Sequence, residues 1–369
     1  MNTYTAYHVF IKLVIGGLNY LVCKLTLDSF KKEAHQESKP GLMTLSTFLS
    51  LFFVALPLIL SEYRERRAAG SIKGGLYSWA THGTLAIAGT LEMVAVYLSM
   101  YGNTVLPASM LVFMKATRVL WSALLSKHIL KRKLYGHHWV GVALTFIGLI
   151  PIAGVTIMHS KPKADVPQWL QYAALAMVFF CEFFRAVRII IEERLLKEKG
   201  VTPTFVQYVE GYSGLTLALI LIAVLQGIGK ENTADSFQAM GEHWPIMVLF
   251  GMHTLFHGLV NYSSTVVTKL MSSVHNAIIS EMRIIVVWAP EFIIGAMYAI
   301  GQGKDREAKY GKLFHLDYLF DIPGFAIVVA SALIYNGTMK LPFKGLYPRE
   351  TKETVSPSTQ DGNLERATA

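Results

Sequence analysis

Apolar runs long enough to cross a bilayer recur from one end of this 369-residue chain to the other, and several carry ionisable residues in their middles. A hydrocarbon core about 30 Å thick takes roughly 20 apolar residues per helix. In that medium every backbone N–H and C=O must be satisfied within the structure, which leaves helices or closed barrels. The runs are continuous rather than alternating, so helices are expected. Charged residues make up only 16% of the chain and mean hydropathy is +0.40, whereas soluble domains carry roughly 25% charged residues. The chain reads as an all-α, multi-pass integral membrane protein.

Ten spans are predicted, at about 5–25, 42–61, 76–100, 104–126, 134–158, 168–191, 203–228, 244–264, 271–300 and 316–339. Pro203 and Pro245 stand at span starts, where a missing N–H costs nothing. Pro57, Pro107, Pro151 and Pro290 fall inside or just within spans and predict kinks or breaks. Residues 341–369 turn to Pro, Ser, Thr, Lys and Glu, a composition that cannot bury enough surface to order itself. This predicts a first five-helix unit over 1–160, a second over 161–340, and a disordered cytosolic tail.

The net charge of +9 does not imply a nucleic-acid partner, because the Lys and Arg residues cluster in loops and in the tail. Arg64, Arg66, Arg67 and Lys73 follow the second span, Lys127, Lys131, Arg132 and Lys133 the fourth, and Arg194, Lys197 and Lys199 the sixth. The opposite loops carry fewer, so the positive-inside rule places both termini in the cytosol. Cys23 and Cys181 both lie within spans, so no disulfide framework is expected, and the N-terminal segment lacks a signal-peptide pattern.

The two halves show weak self-similarity at a spacing of about 168 residues, from Met114 to Met282. Met114-Lys115-Ala-Thr-Arg118-Val-Leu-Trp121 has a counterpart in Met282-Arg283-Ile-Ile-Val-Val-Trp288. Gly141 and Gly148 are seven apart in the fifth span, as are Gly324 and Ser331 in the tenth, and Asn19 falls opposite Arg188. Five helices per half require the second copy to insert with reversed topology. That is the inverted-repeat plan of many secondary transporters, with a solute site near midplane.

An ionisable residue inside a span is expensive and therefore a functional candidate. The deep set is Glu92, Lys115, Arg118, Glu182, Arg185, Arg188, Glu210, Glu281 and Arg283. Lys115 and Arg118, three apart, share a helix face. Asn276, Ser280 and Arg283 follow an i, i+4, i+7 stripe, while Glu281 points away from Arg283. Glu182 and Arg185 have the spacing of a local structural pair. Lys115 and Arg283 have no acid three or four residues away, and are expected to face a cavity. Arg188, Glu193, Lys12 and Lys24 have snorkelling to the interface as an alternative, whereas Asn19 lies too deep for it. Gly16, Gly17, Gly148 and Gly154 suit helix packing. His253 and His257 have metal-ligand spacing but no acid or Cys nearby, so no metal is expected. No nucleotide-binding or hydrolase motif is present, so neither a cofactor nor catalysis is implied.

Gly17-Leu-Asn19-Tyr-Leu-Val-Cys-Lys24 with Asp28, Ile191-Glu192-Glu193-Arg194, Glu210-Gly211, the Met282–Trp288 run and Ile334-Tyr335-Asn336-Gly337 continue a pattern over about 5–340. In that order and spacing the chain resembles the drug/metabolite transporter superfamily, and within it the F-type members of the solute carrier 35 family. The resemblance implies ten helices in two inverted halves, a cavity lined by spans 1–4 and 6–9, and packing or homodimerisation through spans 5 and 10. It matches Asn19, Lys115, Arg188, Glu210 and Arg283 to polar positions of the pattern; Arg118 and Glu182 depart from it. The expected function is alternating-access transport of a small anionic, nucleotide-sugar-like solute, in an endomembrane (Golgi, lysosome or vacuole) rather than the plasma membrane. The alternatives are a proton-coupled exporter of cations, with Glu92, Glu210 or Glu281 as the proton carrier, and a non-transporting membrane scaffold.

Overall fold

The computed structural model describes residues 3–33, 40–70, 77–106, 108–159, 167–283, 285–287, 321–335, 337–343 and 346. Regular structure among them is entirely helical: α1 Thr3–Glu33, α2 Pro40–Ala68, α3 Trp79–Val105, α4 Ala108–His128, α5 Gly136–His159, α6 Gln168–Glu198, α7 Pro203–Gly227, α8 Thr233–Glu242, α9 Trp244–Leu270, α10 over 273–283, and α11 Asp321–Tyr335. Among the described residues, α1, α2, α3 and α7 are long and apolar enough to cross a membrane, and 322–335 forms a shorter apolar helix. The chain is a multi-pass integral membrane protein.

Local chemistry sets the helix ends. Ser78 accepts a hydrogen bond from the Thr81 N–H, and Thr202, followed by Pro203, accepts one from Phe205 N–H. The fourth helix begins at 108 rather than 104. Leu106 precedes Pro107 and is extended (φ −91°, ψ 151°), because a residue before proline is pushed out of the helical region. Pro57 and Pro151 instead lie within continuous helices. The short α8 was not expected from hydropathy; Asn232 caps it by accepting from the N–H groups of Ala234 and Asp235. Pro290 and the tail beyond 346 lie outside the described residues.

The helices pack by small residues and apolar clusters. Gly141 meets Ser331 and Tyr335, and Gly148 meets Gly324 and Val328, so α5 and α11 run antiparallel with their seven-residue spacings in register. Thr145 and Ser331 are joined hydroxyl to hydroxyl at 3.0 Å. The expected packing of spans 5 and 10 thus occurs within one chain. α2 and α7 cross antiparallel in the same way, Gly211 against the Leu51–Phe52 backbone and Gly214 against the Phe48 ring. Gly154, expected to serve packing, faces no described atom within 4 Å. Around these two crossings, α1 packs on α9 and α6 on α3, while α2 packs on α9 and α7 on α3.

A Cβ at position 148 would lie 2.8 Å from the Gly324 carbonyl oxygen, and backbone cannot yield as a flexible side chain does. Gly148→Leu is therefore expected to destabilise the protein by about 1–3 kcal/mol, read as a lower thermal midpoint of the purified protein. An unchanged midpoint would contradict the α5–α11 contact.

Candidate functional site

The site is organised by α6. Glu182, Arg185, Arg188 and Glu192 repeat at three to four residues and so share one helix face. That face is turned inward. Arg185 Nη1 donates to Glu182 Oε1 at 2.8 Å, as its spacing predicts, yet the pair is not isolated. Arg118 of α4 lies 3.6 Å from Glu182 and 3.0 Å from Glu281 of α10. Arg185 also reaches Glu92 of α3 at 3.7 Å. Arg188 contacts Glu92 at 3.2 Å, Glu192 at 2.5 Å and Glu210 of α7 at 3.0 Å. One unbroken chain of ion pairs therefore links α10, α4, α6, α3 and α7. Arg188 is buried and fully engaged, which removes the snorkelling alternative.

Beside this chain lies a cavity of about 210 Å³. α1 lines it with Lys12, Gly16, Asn19 and Cys23, α3 with Glu92 and Ser99, and α4 with Lys115 and Arg118. α6 adds Arg185, Arg188 and Glu192; α9 adds His253, His257 and Asn261; α10 adds Asn276, Ser280 and Arg283. Asn19, Lys115, Arg118, Arg188, Asn276, Ser280, Arg283 and Glu92 thus share one wall. Glu210 and Glu281 stand behind it, holding Arg188 and Arg118. The lining comes from α1–α4, α6, α9 and α10, with α7 contributing only through Glu210.

Lys115 makes neither a hydrogen bond nor an ion pair with any described residue. Arg283 donates from Nε to the Ser280 carbonyl at 3.0 Å, and no carboxylate among the described residues pairs with it. Lys12 was expected to be able to snorkel; it is instead 1% exposed, its Nζ donating to the Asn276 carbonyl at 2.6 Å. The signal for it was a helical stripe of Lys12, Gly16, Asn19 and Cys23. Glu192 was not singled out either, although its spacing of four from Arg188 on the same helix was the signal for it. Asn19 approaches His257 Nδ1 at 3.4 Å, and the His253 and His257 rings are 5.8 Å apart. Among the described residues no group of three metal-type ligands forms.

A tie closes the bundle at one end of this cavity. Glu193 is 1% exposed. It receives Arg132 at 2.5 Å, Lys197 at 2.8 Å and the Ser273 backbone N–H at 2.9 Å. Lys197 also donates to the Met271 carbonyl. From this knot the cavity residues run away, back along α6 from Glu192 to Arg185 and forward along α10 from Asn276 to Arg283. Burial alone would raise the Glu193 carboxyl, but hydrogen bonds from Lys197 and Ser273 outweigh it and hold it below its usual range.

No protein-family model matches the chain. Solute carrier family 35 member F6 of Rattus norvegicus is 21% identical over 385 residues, covering 98% of this chain and 96% of that protein. The Homo sapiens protein of the same name is 21% identical, with 90% of each chain covered. The resemblance read from the sequence motifs therefore extends along nearly the whole chain. A solved structure described only as a crystal structure of a protein superposes with a TM-score of 0.55 at 13% identity, covering 90% of this chain and 97% of that one. That likeness concerns the fold alone.

A carboxyl held low in the folded state stabilises above its unfolded value, and that contribution is lost as pH falls through the folded value. Glu193→Gln is therefore expected to lower the thermal midpoint at pH 7, by on the order of 2 kcal/mol, and to flatten the loss of stability on acidification below about pH 4. Equal acid sensitivity of variant and wild type would contradict the tie.

Proposed function

We propose that the chain is a secondary-active transporter of a small organic anion, nucleotide-sugar-like in charge, working by alternating access between two inverted halves over 1–160 and 161–340. The observation that carries the reading is a pair of cations at the cavity, Lys115 and Arg283, with which no carboxylate among the described residues pairs. Each follows a Met, Met114 and Met282, in the corresponding helix of its half. A cation survives in a span only if water, a distant acid or a ligand compensates it. Lys115 supplies a point charge, and Arg283 a planar fork suited to phosphate or carboxylate.

Three features support the inverted plan. The α1–α9 and α3–α6 contacts exchange when the halves exchange, and so do α2–α9 and α3–α7. α2 with α7 and α5 with α11, the helices related to themselves by that exchange, cross antiparallel. The similar proteins carry a solute-carrier name over their full lengths. The relatives' name favours a transporter over an enzyme, and the distribution of Lys and Arg among the loops favours cytosolic termini in an endomembrane.

The cation-exporter reading requires an acid free to meet the solute. The acids on the cavity wall, Glu92 and Glu192, are both engaged by Arg188. A scaffold requires no polar cavity at all.

The test is uptake by purified protein in liposomes, against a panel of nucleotide sugars, amino acids and cationic drugs. An anion is expected to accumulate. Lys115→Met and Arg283→Met should each lose about tenfold or more, since a hydrogen bond to a charged group is worth roughly 1.5–3 kcal/mol. Arg283→Lys should retain charge yet still weaken transport. Uptake of cations alone, or Met variants transporting normally, would overturn the reading.

A further inference from the structure

Arg188 meets more carboxylates than it can neutralise. Glu92, Glu192 and Glu210 all stand within 3.2 Å of its guanidinium, and Glu192 and Glu210 are 1% and 0% exposed. The neighbouring arginines are already engaged, Arg185 by Glu182 and Arg118 by Glu281. The ion-pair chain thus sets Arg118, Arg185 and Arg188 against Glu92, Glu182, Glu192, Glu210 and Glu281.

Two further facts concern Glu192 and Glu210 themselves. Both meet one nitrogen: Arg188 Nε donates its single hydrogen to Glu210 Oε2 at 3.1 Å, and Glu192 Oε1 stands 2.5 Å from that same nitrogen. Glu192 Oε1, ion-paired but left without that hydrogen, and Glu210 Oε1 are both buried and accept no hydrogen bond among the described residues. An ionised carboxylate is an acceptor only, so two ionised groups cannot satisfy one another. Two carboxylates crowding one guanidinium nitrogen disfavour each other's ionised form. One proton resolves both problems, because it turns one carboxyl into the donor that the other lacks.

Other charged groups facing the pair do not remove the need. Lys12 of α1 spends its ammonium on the Asn276 carbonyl. From α9, Asn261 reaches Arg188 at 3.4 Å and His257 stands at the cavity wall. Lys115 and Arg118 of α4 and Arg283 of α10 line the same wall, and from α2 the lining group is the uncharged Thr47.

We propose that Glu192 and Glu210 hold one shared proton and form the coupling site of the transporter, loaded together with an anion in the cavity. The coupling half of this rests on the anion-transport reading; the shared proton does not. Arg188 is the link, since it touches both acids and also lines the cavity. With the pair protonated, less negative charge draws the guanidinium back and more of its field reaches the cavity. An anion then binds more tightly, and by reciprocity a bound anion makes the pair easier to protonate. Loss of the proton to water on the far side returns Arg188 to the carboxylates and releases the anion. No covalent bond changes; one proton and one anion move in the same direction.

Infrared spectroscopy of the full chain in lipid nanodiscs tests the proton directly. At pH 7 the wild type should show a protonated-carboxyl stretch that shifts in heavy water. The band should vanish in E192Q and in E210Q separately, and remain in E242Q, an exposed glutamate on α8. Absence of the band in wild type, or its survival in both buried variants, overturns the shared proton. The wild-type spectrum decides this even if a variant misfolds. Coupling is tested with UDP-glucose in liposomes: an inward proton gradient should speed wild-type uptake about fivefold or more, and in E210Q the ratio of uptake with and without the gradient should fall to about one. Wild-type uptake indifferent to the gradient overturns the coupling. Absence of any UDP-glucose uptake counts instead against the nucleotide-sugar reading, and the infrared band then decides the proton pair alone.

Discussion

The chain of ion pairs running from Glu281 through Arg118, Glu182, Arg185, Glu92 and Arg188 to Glu210 is the interaction on which the remaining structure depends. Removing charge from water costs several kcal/mol per ion, and hydrocarbon offers no alternative partner. Each member therefore holds the others, and with them five helices, in one arrangement. α6 sits at the centre because it supplies four of the charges on one face. Apolar clusters complete the packing, Ile59, Leu85, Leu195 and Val206 joining α2, α3, α6 and α7, while small residues let α5 lie on α11 and α2 on α7.

Because the pairs consume their charges internally, the groups left over acquire meaning. Lys115 and Arg283 stand in the cavity without a carboxylate among the described residues, and Lys12 is tied only to a carbonyl. The surplus on the solute side is cationic, and the surplus behind Arg188 is anionic. Opposite surpluses on the two sides of one arginine are the physical basis for linking solute to proton. The Glu193 knot ties α6, the α4–α5 connection and the start of α10 at one point.

Much of this was legible in the sequence, and the reasons for the rest are physical. Apolar runs located the helices because bilayer thickness sets their length; α8, amphipathic and only ten residues long, gives no such signal. Helical periodicity identified Asn276, Ser280 and Arg283 as one stripe, and the Glu182–Arg185 contact as local. It did not show that Arg118 and Glu92 complete that contact, since those partners are 64 and 93 residues away in sequence (182 − 118, 185 − 92). Glu192 has a local partner in Arg188 but gained its meaning only from Glu210 meeting the same guanidinium, and Lys12 was assigned an interfacial alternative that its burial excludes. The role of Glu210 as a group behind the wall, rather than in it, required the cavity itself.

The cations Lys12, Lys115 and Arg283 around the cavity make the charge selectivity of a native thiol there a direct measurement. Cys23 lines the cavity beside Lys12 and Asn19, whereas Cys181 is buried away from it. With Cys181 replaced by Ala, the rate of Cys23 modification is measured with anionic and cationic methanethiosulfonates of similar size. An electropositive cavity should react faster with the anionic reagent, a preference that high salt weakens and Lys115→Met reduces. Equal rates, or a preference for the cationic reagent, would contradict it.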